Sequence, residues 1–91
     1  MPRANPAKER RWRSEARSSP RLSPVLAKLG ARIRDLRVEK GYSQEELARR
    51  ARIDSKHLQT LEAGKSNATL STLVALADAL GHSLSDLLRG A

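Results

Sequence analysis

Ninety-one residues with 18 Lys and Arg against 10 Asp and Glu, a net charge of +8, allow one small basic domain. Cysteine and phenylalanine are absent, which excludes a disulfide framework, a thiolate nucleophile and a cysteine zinc site, and leaves Leu, Ile, Val and Ala to build the core. No apolar run approaches the roughly 20 residues of a transmembrane helix, and no alternating strand pattern occurs, so the chain is expected to be all-α and to stay out of membranes.

Residues 1–24 hold seven basic and two acidic side chains, against eleven and eight in the remainder, and contain all four prolines. With so little to bury, this segment is expected to be a disordered basic arm, or at most a fraying helix around Lys8–Arg17. Such an arm can track phosphates, with Trp12 stacking on a base or sugar; as a solubilising tail it would need only its charge. A membrane-surface role is weaker, because Trp12 lacks apolar companions.

The folded domain is then 25–91, a compact five-helix unit. Ser23-Pro24 reads as an N-cap followed by proline at the first helical position. Leu26, Leu29, Ile33 and Leu36 follow helical spacing to Lys40, and Gly41 stops that helix with a left-handed cap. Ser43 caps a second helix, with Glu46 three residues on to complete a capping box and Tyr42 stapled to Leu47. Asp54 caps a third, with Ile53 stapled to Leu58. Ala51-Arg52-Ile53 leaves room between them only for a tight turn, the signature of a helix-turn-helix. Lys65 to Ala68 forms a polar loop. Thr69 caps a fourth helix that places Leu70, Leu73, Val74, Leu76, Ala77 and Leu80 inside, and Gly81 ends it. Ser83 and Asp86 open a short fifth helix, Leu84 to Leu88, with His82 stapled to Leu87.

Projected at about 100° per residue, the third helix puts Leu58 and Leu61 on one side. Ser55, Lys56, Gln59, Thr60 and Ala63 lie on the other. That outer face is small and polar, suited to close approach to base edges; as an ordinary solvated face it would more often mix Glu with Lys. Its place after a capped helix and a tight turn favours the DNA reading.

These stretches, L-G-A-R-I-R-D-L-R, G-Y-S-Q-E-E-L-A, L-E-A-G-K and L-A-D-A-L-G-H-S-L-S-D-L-L, resemble the Cro/repressor-type helix-turn-helix family of prokaryotic and phage regulators from Leu29 to Leu88. Many members carry Gly in the turn where this chain has Arg52, so Arg52 must either bear strain or use a different turn. The resemblance implies a structural pair between Arg37 of the first helix and Glu62 of the L-E-x-G motif. It also implies a phosphate contact for Gln44, which the first-turn N–H groups and helix dipole favour as well.

The remaining contacts divide by chemistry. Bases are expected to be met by Ser55, Lys56, Gln59 and Thr60: Lys56 suits guanine, Gln59 adenine, and Thr60 offers a methyl to thymine, a good pairing being worth about 1–3 kcal/mol. Phosphates are expected at Ser43, Gln44, Lys65, Asn67 and His57, although His57 reads equally as a half-buried spacer. Leu84, Leu87 and Leu88 cannot all be buried by so small a domain, and in the family this end commonly forms a two-fold dimer interface. Two copies about 34 Å apart would read two half-sites. Histidines without carboxylate or cysteine at ligand spacing give no metal site, and neither a nucleophile elbow, a phosphate loop nor paired catalytic carboxylates point to an enzyme.

The expected partners are therefore double-stranded DNA and a second copy of the chain, with no cofactor, metal, membrane or small-molecule effector and no further domain after the fifth helix. The expected function is sequence-specific transcriptional regulation at a palindromic operator, in the cytoplasm and associated with the nucleoid. Small phage repressors, antitoxin-type autoregulators and controller proteins of restriction-modification systems are similar in size. The N-A-T-L loop with D-S-K-H slightly resembles the last group. The alternative is a protein-interaction module whose basic arm binds nucleic acid without sequence preference.

Overall fold

A computed structural model describes residues 20–91, which form five helices and no strand. Of the arm expected over residues 1–24, residues 1–19 lie outside the described residues, and Leu22, Ser23 and Pro24 belong to the first helix. In chain order the helices are α1, Leu22–Lys40; α2, Gln44–Ala51; α3, Ser55–Glu62; α4, Leu70–Leu80; and α5, Leu84–Leu87. No helix among the described residues is long and apolar enough to cross a membrane.

Four helices begin at side-chain caps. Ser43 Oγ accepts from Glu46 N at 3.0 Å, Asp54 Oδ1 from Lys56 N at 2.8 Å, Thr69 Oγ1 from Thr72 N at 3.2 Å and Ser83 Oγ from Asp86 N at 3.1 Å. The first helix departs from expectation. It starts at Leu22 with Arg21 at the cap position and no side-chain cap bond, so Ser23 is helical rather than a cap. Pro24 therefore sits at the third helical position. It still costs no hydrogen bond there, because the first-turn N–H groups have no intrahelical acceptor.

Four helix ends close in the same way. A residue in the left-handed region donates to the carbonyl three back, and its successor donates to the carbonyl five back. Gly41 and Tyr42 do this for α1, Gly64 and Lys65 for α3, and Gly81 and His82 for α4. At the end of α2 the same place is taken by Arg52, at φ 58° and ψ 44°. Arg52 N donates to Arg49 O at 3.2 Å and Ile53 N to Ala48 O at 2.9 Å. Of the two possibilities left by the sequence, the strained one is adopted. A side chain costs roughly 1–2 kcal/mol in this region.

The core is a single cluster in which Ile33, Leu36, Leu47, Leu58, Leu61, Leu76, Leu80 and Leu87 are completely or almost completely covered. α1 lies against α3, α4 and α5, and α2 bridges α3 and α4. Tyr42 and Ile53, the expected staples, pack against this cluster from its edge. Two of the residues assigned to the interior of α4 do not reach it: Leu70 is 64% exposed and Val74 42%. The buried stripe runs through Leu73, Leu76, Ala77 and Leu80, and at about 100° per residue Leu70 and Val74 fall roughly 60–100° around from Leu73, at and beyond its margin. Leu87 departs in the opposite sense. It is fully buried in the monomer core, so it is not available to a dimer face; Leu84 packs partly against the same core, and Leu88 is 36% exposed.

Candidate nucleic-acid interface

The turn between α2 and α3 contains only Arg52, Ile53 and Asp54, and Ile53 serves both neighbours. Its N–H closes α2 while its side chain packs against the core that holds Leu58 and Leu61 of α3. Leu58 and Leu61 then turn inward, leaving Lys56 and Gln59 exposed and Ser55, His57 and Thr60 half-exposed. The chain thus brings the four expected base-reading residues, Ser55, Lys56, Gln59 and Thr60, onto one short helix.

Their freedom differs. Lys56 and Gln59 have side chains directed to solvent, whereas the Thr60 hydroxyl lies 3.0 Å from His57 O and 2.9 Å from Ser66 Oγ. Lys65 and Asn67, expected at phosphates, are exposed in the loop that follows; Asn67 Oδ1 accepts from Ala68 N at 2.9 Å.

Gln44 is held rather than free. Its Nε2 donates to Glu62 Oε1 at 3.1 Å, and the same carboxylate receives Arg37 Nε at 2.8 Å on Oε2 and a second Arg37 N–H at 3.0 Å on Oε1. Arg37 also donates to Tyr42 O at 2.8 Å. The expected Arg37–Glu62 pair is therefore present, two-pronged and buried, with side chains 13% and 3% exposed. The bond to Gln44 was not legible in the sequence. It joins the structural pair to the expected phosphate contact and ties the N-terminus of α2 to the last residue of α3.

Two glycines set how closely α1 approaches that junction. A Cβ at Gly30 would fall 2.4 Å from Leu61 O and 2.7 Å from Glu62 O, and one at Gly64 would fall 2.9 Å from the Ala27 Cα. Gly30 has no role among the residues expected from the sequence. Its signal was a glycine on the apolar line of an otherwise well-formed helix, which usually has a packing reason.

On the outer side of α2, Glu46 departs from the expected capping box. Its carboxylate is taken by Arg50 Nε at 2.9 Å and by Arg49. The Arg50 hydrogen bond, with the positive charge of Arg49 and Arg50, holds the Glu46 carboxyl below its ordinary value. Arg50 also lies over the Tyr42 ring, 4.5 Å from its centre. At the far end His82 Nδ1 is 3.5 Å from Asp86 Oδ2, and Arg32 Nε donates to Asp86 O at 3.1 Å, fastening α5 to α1. Among the described residues no cluster of His, Cys, Asp and Glu could hold a metal ion.

This arrangement has relatives. The profile of the helix-turn-helix family matches residues 33–87, from the middle of α1 to the end of α5. The chain belongs to the Cro/repressor-type helix-turn-helix family, whose members are DNA-binding transcriptional regulators rather than enzymes. Over 63 residues it is 41% identical to the HTH-type transcriptional regulator DdrOP3 of Deinococcus deserti, covering 69% of this chain and 49% of that one, so it spans about half the length of that relative. Among solved structures, the restriction-modification controller protein C.AhdI of Aeromonas hydrophila is 39% identical with a TM-score of 0.67, over 68% of this chain and 94% of that one. The clp gene regulator ClgR of Corynebacterium glutamicum is 34% identical with a TM-score of 0.68, over 70% and 68%. Within this family, the solvent face of α3 and its two flanks form the candidate DNA surface.

Proposed function

We propose that this family member is a transcriptional regulator that binds a palindromic operator as a homodimer, with α3 of each copy in a major groove. The observation that carries the reading is the set of solvent-directed side chains on α3, Lys56 and Gln59 beside Ser55, flanked by Gln44 at the start of α2 and by Lys65 and Asn67 in the following loop. Lys56 and Gln59 carry the base preference, and Ser55 adds a short polar contact at the helix start. Ser43, Gln44, His57, Lys65 and Asn67 hold the phosphates on either side.

A single eight-residue helix reads too few bases for useful specificity, which favours a symmetric pair on two half-sites about 34 Å apart. Leu88, exposed beyond the buried Leu87, and the outer edge of Leu84 form the contact between copies. The likeness to a restriction-modification controller protein over nearly all of that protein's length supports a controller-type regulatory role, and a DNA-binding regulator of this kind would act in the cytoplasm, on the nucleoid.

The test is selection of bound sequences from random duplexes, followed by titration of the selected operator and a scrambled duplex. A twofold-symmetric site bound by two chains is the expected result. Gln59→Ala should narrow the operator-to-scrambled ratio, whereas Lys65→Ala should weaken both duplexes alike. Equal affinity for operator and scrambled DNA would instead leave the interaction-module reading, with its non-specific arm.

A further inference from the structure

The Thr60 hydroxyl faces away from the role that its place on α3 suggests. It is within hydrogen-bond reach of His57 O, at 3.0 Å, and of Ser66 Oγ, at 2.9 Å, and both Thr60 and Ser66 are half-buried. The backbone of the same residue accepts from Lys65 N at 2.9 Å. One residue of the reading helix thus holds both the first residue of the loop, through its carbonyl, and the second, through its hydroxyl. Lys65 and Asn67, on either side of Ser66, are exposed.

The start of this loop has little freedom of its own. Gly64 lies at φ 71° with its Cα side pressed against the Ala27 backbone, and its N–H is bound to Leu61 O at 3.0 Å. From Ser66 onward no backbone bond ties the loop to α3; Ala68 N is satisfied by the side chain of its neighbour Asn67. The Thr60–Ser66 contact is therefore where the direction of the loop relative to α3 is fixed.

Resting on the DNA-binding reading above, we infer that Thr60 is a positioning residue rather than a base reader: its hydroxyl latches Ser66 so that Lys65 and Asn67 meet phosphates while α3 lies in the groove. A side chain so used contributes to affinity for every sequence, and base preference stays with Lys56 and Gln59. Pre-setting the loop lowers the ordering cost on binding, so its loss weakens complexes without removing any direct contact.

The latch is tested with Thr60→Val, which keeps the shape and removes the hydroxyl, Ser66→Ala, the double variant, and Thr60→Ser as the conservative replacement. In the DNA-free protein, hydrogen exchange of the two bonded amides of the loop, Lys65 N on Thr60 O and Ala68 N on Asn67 Oδ1, should quicken in Thr60→Val and Ser66→Ala and stay at the parent rate in Thr60→Ser. On DNA, each of the first two should weaken binding by about 3- to 10-fold, the size of one hydrogen bond. The loss should be equal for operator and scrambled duplex, and the double variant should be no worse than either single one. A Thr60→Val protein that loses preference at one base pair would make Thr60 a reader. Unchanged exchange in the loop, or additive losses in the double variant, would remove the latch. A parent protein that binds no duplex would overturn the DNA-binding reading itself, an outcome the exchange measurement separates from failure of the latch.

Discussion

At Glu62 one carboxylate accepts three hydrogen bonds from two residues, each anchored on a different helix. Removing it leaves Arg37 with only the Tyr42 carbonyl in a site where little water reaches it. Breaking a buried pair in this way typically costs about 3 kcal/mol or more, because the surviving charge is uncompensated; Arg37 keeps some solvent contact, so Glu62→Ala should cost about 3 kcal/mol. A fall in the urea midpoint with unchanged slope is the expected measurement, and a parental midpoint would mean that the pair adds nothing. Arg52 is the opposite case, a residue whose replacement should help. Its left-handed backbone is imposed by the closing bonds of α2 on one side and by the anchored Ile53 on the other. Glycine relieves the side-chain penalty but carries more chain entropy into the unfolded state. Arg52→Gly should therefore raise the thermal midpoint by only a few degrees, with a net gain of about 1 kcal/mol or less. A lower midpoint would show that the arginine side chain contributes more than its backbone costs.

At the scale of helices, the contact between α1 and the end of α3 depends on the missing side chain of Gly30. Glycine inside a helix ordinarily costs about 1 kcal/mol relative to alanine, so Gly→Ala there tends to stabilise. Here the sign should reverse. The new Cβ would meet two backbone carbonyls, which cannot swing aside as a flexible side chain can. Gly30→Ala should destabilise by about 1–3 kcal/mol, as overpacking does. It should also weaken operator binding, because α3 and its loop are displaced together. A more stable Gly30→Ala protein would show that α1 has room to retreat. This position also marks the limit of what the sequence reveals. The caps at Ser43, Asp54, Thr69 and Ser83 are legible because a cap and the backbone N–H that donates to it lie within a few residues, and the left-handed stops at Gly41 and Gly81 for the same reason. The inward side of α3 followed from period alone. What periodicity cannot supply is the partner across space: it placed Leu70 and Val74 inside because it does not say where the neighbouring helix ends. Equally, domain size and family resemblance, which together imply a dimer face at Leu84, Leu87 and Leu88, do not say which of the three is spare. Leu87 is fully covered where α5 meets α1 and α4. Gln44 and Glu62 are 18 residues apart, and nothing local links the phosphate role expected of one to the structural role of the other.

For the molecule as a whole the largest open term is electrostatic. Residues 1–19 carry six basic and two acidic side chains, a net +4 and half of the total charge of +8. Every core side chain among the described residues lies between Leu29 and Leu87. A protein beginning at Pro20 keeps the whole of α1 and its Arg21 cap position, and should keep the thermal midpoint of the full chain. Its DNA binding should change in one specific way. Each phosphate neutralised releases counterions and adds about 0.9 to the slope of log affinity against log salt. If the segment lies along the duplex with even two or three of its arginines at phosphates, the full chain should show a slope steeper by roughly 2–3 and should bind much more tightly at low salt. The difference should shrink as salt rises, because exposed charges are screened within about a Debye length. Base preference should survive the truncation, since it is assigned to Lys56 and Gln59 on α3. Affinities of the two proteins for one selected operator across a salt series make the measurement. Parallel lines would assign residues 1–19 to solubility alone, leaving the phosphate contacts to Gln44, Lys65 and Asn67.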